Sequence, residues 1–380
     1  MAKKRWYRRL TLVLLRTSVF VSEQPLEKMH MEKEENHMKK AMTTILSAAA
    51  LLIMTGCSST PAPAGNPTAA PETAAAEPAE TTSYRVAVVK QLDHASLDEI
   101  ANAVTAQLDA IAEKEGIAIE YDVYSGQNDQ TVLKQIGDQA VSDHVDAIIP
   151  IATLAAVTMT ACAEESGIPV IFAAVSDPES AELTGIDYVS GTSDALNAEQ
   201  IIDMMIAQDP DLITVGLLYS KSETNSQKPI ADAKAYLDGK GIEYIEATGN
   251  TRDEVIAAVS SLIASGVSAI FTPTDNVIMD AELTIAETLI EAGIPHYAGA
   301  DSFVRNGAFA TCGVNYTDLG KRTADIAYDA IVNGTGSLED YYLMEGGIVT
   351  VNTETAEALN LGYEMFSQYG EVVEVITTAE

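Results

Sequence analysis

Val267-Ser-Ala-Ile-Phe-Thr-Pro-Thr-Asp-Asn276 reads as a buried strand that stops at a polar cluster and hands over to a helix. Val145-Asp-Ala-Ile-Ile-Pro-Ile-Ala-Thr153 has the same form. Three more pairs recur in the same order: Arg85-Val-Ala-Val-Val89 with Thr214-Val-Gly-Leu-Leu218, Gly116-Ile-Ala-Ile-Glu-Tyr121 with Gly241-Ile-Glu-Tyr-Ile-Glu246, and Gly167-Ile-Pro169 with Gly293-Ile-Pro295. A shared separation of about 125 residues is domain-sized, too long for a solenoid repeat. Every α/β fold repeats strand–helix units, but the common order and spacing favour two copies of one unit.

Strands are expected near 84–90, 117–123, 145–151, 169–175, 213–219, 242–247, 267–272 and 294–298. Helices are expected near 96–114, 129–142, 153–166, 195–208, 224–239, 252–265, 276–292 and 318–333. Near-continuous Val/Ile strands separated by helices mean parallel sheets covered on both faces. The fold class is therefore α/β: two similar doubly wound parallel-sheet lobes joined by a hinge, with a ligand cleft between them. The chain divides into a signal region at 1–56, a tether at 57–82, lobe I at 84–192 plus about 314–335, and lobe II at 193–313 plus about 340–380.

Met38-Lys-Lys40, the apolar run 41–54 and Thr55-Gly56-Cys57 form a basic region, a hydrophobic region and a lipobox-like site. The apolar run is short for a membrane-crossing helix, which needs about 20 residues. Cys57 is the expected lipidation site, with Met54 where leucine is more usual. Because a signal peptide works from the N-terminus, residues 1–37 read as a mis-called start, with translation beginning at Met38. Residues 58–82 are rich in Ala, Pro, Thr and Glu without periodicity and cannot build a core. The folded part should hang outside the bacterial cell membrane, joined to it only by the lipid.

With 22 Lys+Arg against 56 Asp+Glu, the net charge of −34 repels nucleic acid and anionic lipid. Beyond Cys57 the arginines are Arg85, Arg252, Arg305 and Arg322, too few to clamp a multiply charged phosphate ligand. Cys162 and Cys312 have no motif spacing and read as buried and inert. No metal spacing and no cofactor motif is present, and the G-x-S-x-G, P-loop and G-x-G-x-x-G patterns are missing, so the chain reads as a binding protein rather than an enzyme.

In open α/β sheets, ligands bind beyond the carboxyl ends of the strands. The first strand ends at Lys90-Gln-Leu-Asp-His94, where His94 reads as a loop histidine and Ser96 with Glu99 as a capping box. Thr153 is expected to cap the next such helix and leave N–H groups for a carboxylate. Asp177 is held extended by Pro178, and Gly191-Thr-Ser-Asp194 marks the first crossing between lobes. The second copy offers Ser222-Glu-Thr-Asn-Ser226, Thr274-Asp-Asn276, Ala300-Asp-Ser302 and Gly313-Val-Asn-Tyr316 at its strand ends. The tail from Gly347 holds short strands and a helix without a clear place.

Asp93-His-Ala-Ser-Leu-Asp98, Ala174-Val-Ser-Asp-Pro178, Ser190-Gly-Thr-Ser-Asp194, Tyr219 with Ser222-Glu-Thr-Asn-Ser226, Pro273-Thr-Asp-Asn276, and Asn315-Tyr316 with Leu319-Gly320 resemble one known family. It is that of the ABC-transporter substrate-binding proteins of the tryptophan/tyrosine-binding type, with a type I periplasmic-binding fold. The resemblance covers roughly 84–335. Leu154, where a small residue or proline is common, and the variable segment at Asp301-Ser302 depart from it.

The resemblance implies capture of a small zwitterion, an aromatic amino acid above all, by lobe closure in a monomer, then delivery to an ABC permease and its ATPase. It implies that Ser96, Thr153 and Ser226 take the α-carboxylate, that Asp275, Asn276 or Asp301 takes the ammonium, and that Phe172, Tyr219 and Tyr316 stack on the side chain or belong to the core. Asp177, Glu223, Asn225 and Thr274 complete the candidate ligand-binding set. A branched-chain amino acid, nucleoside or sugar as ligand, a sensor role, and an α/β enzyme are the alternatives.

Overall fold

The computed structural model describes residues 82–378. The readings placed on the signal region, the start codon, Cys57 and the tether fall outside these residues.

The first sheet comprises β1 (Ser83–Lys90), β2 (Ala118–Ser125), β3 (Ala147–Ile151), β4 (Val170–Phe172), β5 (Val189–Ser193) and β11 (Tyr342–Leu343). The second comprises β6 (Thr214–Tyr219), β7 (Glu243–Thr248), β8 (Ala269–Thr272), β9 (His296–Ala298), β10 (Ala310–Gly313), β12 (Ile348–Asn352) and β13 (Glu371–Val375). Their orders are β2-β1-β3-β4-β5-β11 and β7-β6-β8-β9-β10-β12-β13. The first five strands of each copy thus follow one pattern, as the duplicated motifs predict. All these pairings are parallel except that of β10 with β12.

Helices α1 (Ala95–Glu115), α2 (Gln130–Ser142) and α3 (Thr153–Ala163) belong to the first copy. Helices α5 (Thr224–Lys240), α6 (Arg252–Ser265) and α7 (Asn276–Ala292) are their counterparts in the second. Between the copies lies α4 (Ala198–Gln208); α8 (Asp301–Arg305), α9 (Tyr316–Asn333) and α10 (Thr353–Leu359) follow. The chain crosses after each fifth strand. After β5, α4 packs Ile201, Ile202 and Met205 with Val215, Leu217 and Phe309 of the second sheet. After β10, α9 returns to lie along α1, where Gly320 makes the fit: a Cβ there would sit 2.7 Å from the Ile100 carbonyl oxygen. Tyr342–Leu343 pairs with β5, so the chain rejoins the second sheet at Ile348 rather than near 340.

Side-chain alternation explains the layers. Ala87 and Val89 face Leu133, Met159 and Phe172, while Val86 and Val88 face Ile100, Val104 and Leu108 of α1. Each such fully buried aliphatic contributes roughly 1.5–3 kcal/mol. The cluster around α1 continues through Ala152, Ala174 and Tyr316 to Met279 and Phe303 of the second lobe, so apolar surface also fills the space where the lobes meet.

Helix ends follow local chemistry. Asp129, Asn197, Thr251, Asn315 and Asn352 each cap a helix with a side-chain oxygen. The capping box read at Ser96 and Glu99 does not form. His94 precedes α1 without a side-chain cap, and the Ser96 hydroxyl meets Ser302 across the lobes instead. β5 and β10 were not expected as strands, being short and rich in Gly, Ser and Thr. At β5 the glycine is required: a Cβ on Gly191 would lie 2.2 Å from the Phe172 carbonyl oxygen.

Candidate functional site

The carboxyl ends of β1, β3 and β4 face those of β6, β8 and β9, and they enclose a small cavity. Its wall includes His94, Ser96, Leu97, Ala152, Thr153, Ala174, Ser176 and Asp194 from the first copy. Asn225, Thr274, Asp275, Asn276, Met279, Ala300, Phe303 and Tyr316 complete it. The volume is ≈ 20 Å³, room for about one water and too small for an amino-acid side chain. An amino acid does not fit the cavity as the lobes stand.

Direct polar bonds hold the two edges together. Gln91 Nε2 donates to Glu223 Oε1 at 2.9 Å, His94 Nε2 meets Asn276 Oδ1 at 3.0 Å, and Ser176 Oγ meets Thr274 Oγ1 at 3.1 Å. Arg305 joins Glu99 of α1 to Asp301, and Thr317 donates to Glu99 at 2.8 Å. At the two crossings, Tyr316 donates to Asp194 Oδ2 at 2.9 Å while Ser176 donates to Asp194 Oδ1 at 2.9 Å.

The two copies finish equivalent helices differently. Before α7, Asp275 Oδ1 accepts from the Val277 and Ile278 N–H groups at 3.0 and 3.1 Å. Its Oδ2 accepts from the Ser220 N–H at 2.7 Å and the Ser226 hydroxyl at 2.6 Å. A carboxylate has about four acceptor sites, so Asp275 is satisfied wholly within the second lobe. Before α3 stands Ala152, with φ 76° and no capping side chain. That left-handed backbone is strained for a residue with a Cβ, and Ala174, at φ 54°, repeats the strain on the same wall. The Thr153 hydroxyl beside it is buried without a hydrogen-bond partner. The Leu154 N–H is taken by Gln91 Oε1 at 3.1 Å.

Burial raises the pKa of the acids here. Asp194 is pushed up by burial, against the Ser176 and Tyr316 hydroxyls. Glu223 rises to about 7 through burial and the neighbouring Asp275 charge, opposed by Asn276 and Gln91. Asp275 is raised by burial, opposed by its hydrogen bonds. Asp301 is raised by burial, with Arg305 opposing. His94 is held below the usual imidazole value by burial, opposed by Asn276. No lysine or arginine lines the cavity.

The structure brings Ser96, Thr153, Asn225, Thr274, Asp275, Asn276 and Tyr316 together on the cavity wall. Ser226 stands behind Asp275, Glu223 bridges to Gln91 across the lobes, and Asp301 is paired with Arg305. Phe172 is wholly buried in the first-lobe core. Asp177 holds the turn at Ser180, and Tyr219 bonds Glu246 beside a surface groove. None of these last three faces the cavity. Gln91, His94, Ser176, Asp194 and Phe303 are not in the candidate set read from the sequence, where His94 reads as a loop histidine. The first four lie within four residues of the ends of β1, β4 or β5, so the strand-end rule applied with full force would include them.

Cys162 lies in α3 and Cys312 in β10; burial raises both thiols, to about 11 for Cys312. Among the described residues no cluster of three or more His, Cys, Asp or Glu could hold a metal, and no helix is long and apolar enough to cross a membrane.

Comparison with known proteins agrees with this architecture. A tyrosine-binding protein of Clostridioides difficile (strain R20291) is 29% identical over 282 residues, covering 73% of this chain and 81% of that one. An ABC domain from Streptococcus pneumoniae in complex with L-Trp superposes with a TM-score of 0.71 at 26% identity, covering 77% of this chain and all of that one. The ligand-free, open structure of a Clostridium difficile substrate-binding protein with adhesive properties gives 0.58, also at 26% identity, over 78% of this chain and 100% of that one. The family model described as ABC transporter substrate binding protein matches residues 85–364, and the chain belongs to that family.

Proposed function

We propose that this protein captures an aromatic amino acid between its lobes, outside the cytoplasm, and delivers it to an ABC permease and its ATPase, held to the membrane by a lipid on Cys57. The observation that carries the ligand class is the mixed character of the cavity wall. Buried Asp194 has no cationic partner, the Thr153 hydroxyl and the first turn of α3 offer donors, and Leu97, Met279, Phe303 and Tyr316 supply apolar surface. A zwitterion with an aromatic side chain satisfies all three. Its carboxylate fits Thr153 and the α3 N-terminus, its ammonium fits Asp194, and its ring fits the second-lobe wall. The names of the tyrosine-binding relative and the L-Trp complex support the same reading.

Magnitudes agree with this division. Burying an aromatic side chain removes about 150–250 Å², worth roughly 4–6 kcal/mol at about 25 cal/mol/Å². Micromolar affinity needs about 8 kcal/mol net, so the polar ends must supply the balance. Opening breaks the Gln91–Glu223 and His94–Asn276 bonds and closure remakes them, which keeps the closed form accessible without ligand.

A thermal-shift screen of the purified protein against the twenty amino acids, nucleosides and sugars tests the proposal, because binding to the folded state raises the melting temperature by mass action. At least one aromatic amino acid should raise it. A shift with a sugar or nucleoside and with no amino acid rejects the assignment.

A further inference from the structure

His94 is the cavity-wall residue whose hydrogen-bond polarity the structure dictates and whose role the reading above leaves open. The dictation starts at Glu223. When ionised, its carboxylate only accepts hydrogen bonds: Oε1 from Gln91 Nε2 at 2.9 Å and Oε2 from Asn276 Nδ2 at 2.7 Å. Gln91 cannot turn over, because its Oε1 holds the Leu154 N–H and its Nε2 also donates to Asn128 Oδ1 at 2.9 Å. Nor can Asn276, whose amino group must face the carboxylate.

Asn276 therefore presents Oδ1 to His94 Nε2, 3.0 Å away, and that nitrogen must carry a hydrogen. Burial keeps the imidazole neutral, and a neutral ring with hydrogen on Nε2 has a bare lone pair on Nδ1. That Nδ1 is sealed from solvent and has no hydrogen-bond partner. A buried acceptor left in this way is costly, and the fitting partner is an N–H donor brought by the solute.

We infer that His94 Nδ1 accepts a hydrogen bond from the ammonium of the bound solute, and that Asn276 and Glu223 hold the ring in the tautomer that makes this possible. This rests on the zwitterion reading and adds to it. Asp194 supplies charge, while His94 supplies direction. Glu223 acts through Asn276 as a positioning residue, without touching the solute.

Histidine-labelled protein at pH 8, where Glu223 is ionised, should show His94 in the ¹⁵N spectrum with hydrogen on Nε2 and none on Nδ1. Glu223→Gln reverses the chain. The introduced carboxamide must keep its oxygen toward Gln91 Nε2, so its amino group faces Asn276. Asn276 then turns over, and the hydrogen of His94 moves to Nδ1. The expected results are the tautomer swap in that variant and at least a tenfold loss of affinity for L-tyrosine or L-tryptophan, with a similar loss in His94→Phe. A wild-type ring with hydrogen on Nδ1 overturns the inference, as does His94→Phe binding the amino acid as tightly as wild type. The second result would leave the zwitterion reading standing. Failure of the wild-type protein to bind any amino acid would instead sink that reading beneath it. Should Glu223→Gln not fold, the wild-type spectrum and His94→Phe decide the matter alone.

Discussion

Helices α3 and α7 hold the same place in the two copies, each after the third strand of its unit, yet their first turns are completed in opposite ways. The second lobe supplies its own anion: Asp275 accepts four hydrogen bonds, all from its own lobe. The first lobe has no carboxylate at its end: Gln91 Oε1 takes the Leu154 N–H, Ala152 is strained, and the Thr153 hydroxyl has no partner. The two edges match in topology and differ at one capping position; in the proposed reading that difference makes one edge a finished wall and the other a receptor. In this account the polar end of the solute docks on the first lobe, and the second closes over its side chain.

The sharpest way to break the comparison is to truncate one side chain at each of the two helix ends. Asp275→Ala should destabilise the protein by about 3 kcal/mol in denaturant unfolding, since the cap is lost and buried donors are stranded. Thr153→Ala should change stability by less than about 0.5 kcal/mol, because its hydroxyl bonds nothing, while weakening amino-acid binding about fivefold in calorimetry. Equal effects on stability would mean that the two ends are not differently finished.

Asp194→Asn comes next. Removing a buried charge that faces a cation typically costs at least 2 kcal/mol, so affinity for the amino acid should fall by a factor of about 30 or more. Stability should change little, because one of the Ser176 and Tyr316 hydroxyls still donates to the amide oxygen and the other, now facing the NH2 group, can turn to accept from it.

A smaller effect is expected from pH. The carboxyls of Glu223, Asp275, Asp194 and Asp301 are raised in the folded protein, Glu223 to about 7. The folded state then binds more protons than the unfolded chain between about pH 4.5 and 7, so stability falls as pH rises through that window. His94, with its lowered value, opposes the trend below about 6.5. The ligand-free protein should therefore be more stable at pH 5.5 than at pH 8 by on the order of 1 kcal/mol, and melt at a higher temperature there. A rise in melting temperature with pH would show that these acids are not buried as described.

The least effect belongs to the pair outside the cavity. Arg305 and Glu99 join the lobes with side chains 29% and 22% exposed, and such partly solvated pairs contribute about 1 kcal/mol or less. Arg305→Met should weaken binding only a few-fold, and less so in high salt. A loss as large as that of Asp194→Asn would move the centre of recognition to this edge.

Much of the fold was legible because duplication wrote it twice. The Val/Ile strands and amphipathic helices announce themselves by periodicity, and all eight expected strands and eight expected helices have counterparts in the structure. β5 and β10 escaped notice because Gly191-Thr-Ser193 and Ala310-Thr-Cys-Gly313 carry little hydrophobic signal and are set by backbone pairing with β4 and β9. The site was legible as strand ends but not as partners. That Ser96 reaches Ser302 instead of capping α1, or that Gln91 binds Glu223, depends on how the lobes meet. His94 read as a loop histidine because nothing local shows that Asn276, 182 residues on, will face it. Phe172 and Tyr219 carried the right chemistry at strand ends, but strand alternation turns one into the core and the other toward Glu246.

The most direct test is a crystal structure of the protein with L-tyrosine or L-tryptophan. The account places the ligand carboxylate on Thr153 and the first turn of α3, its ammonium against Asp194, and its ring against Met279 and Phe303 under closed lobes. A carboxylate bound at the Asp275 end of α7, or an amino acid bound outside the cleft, would contradict it.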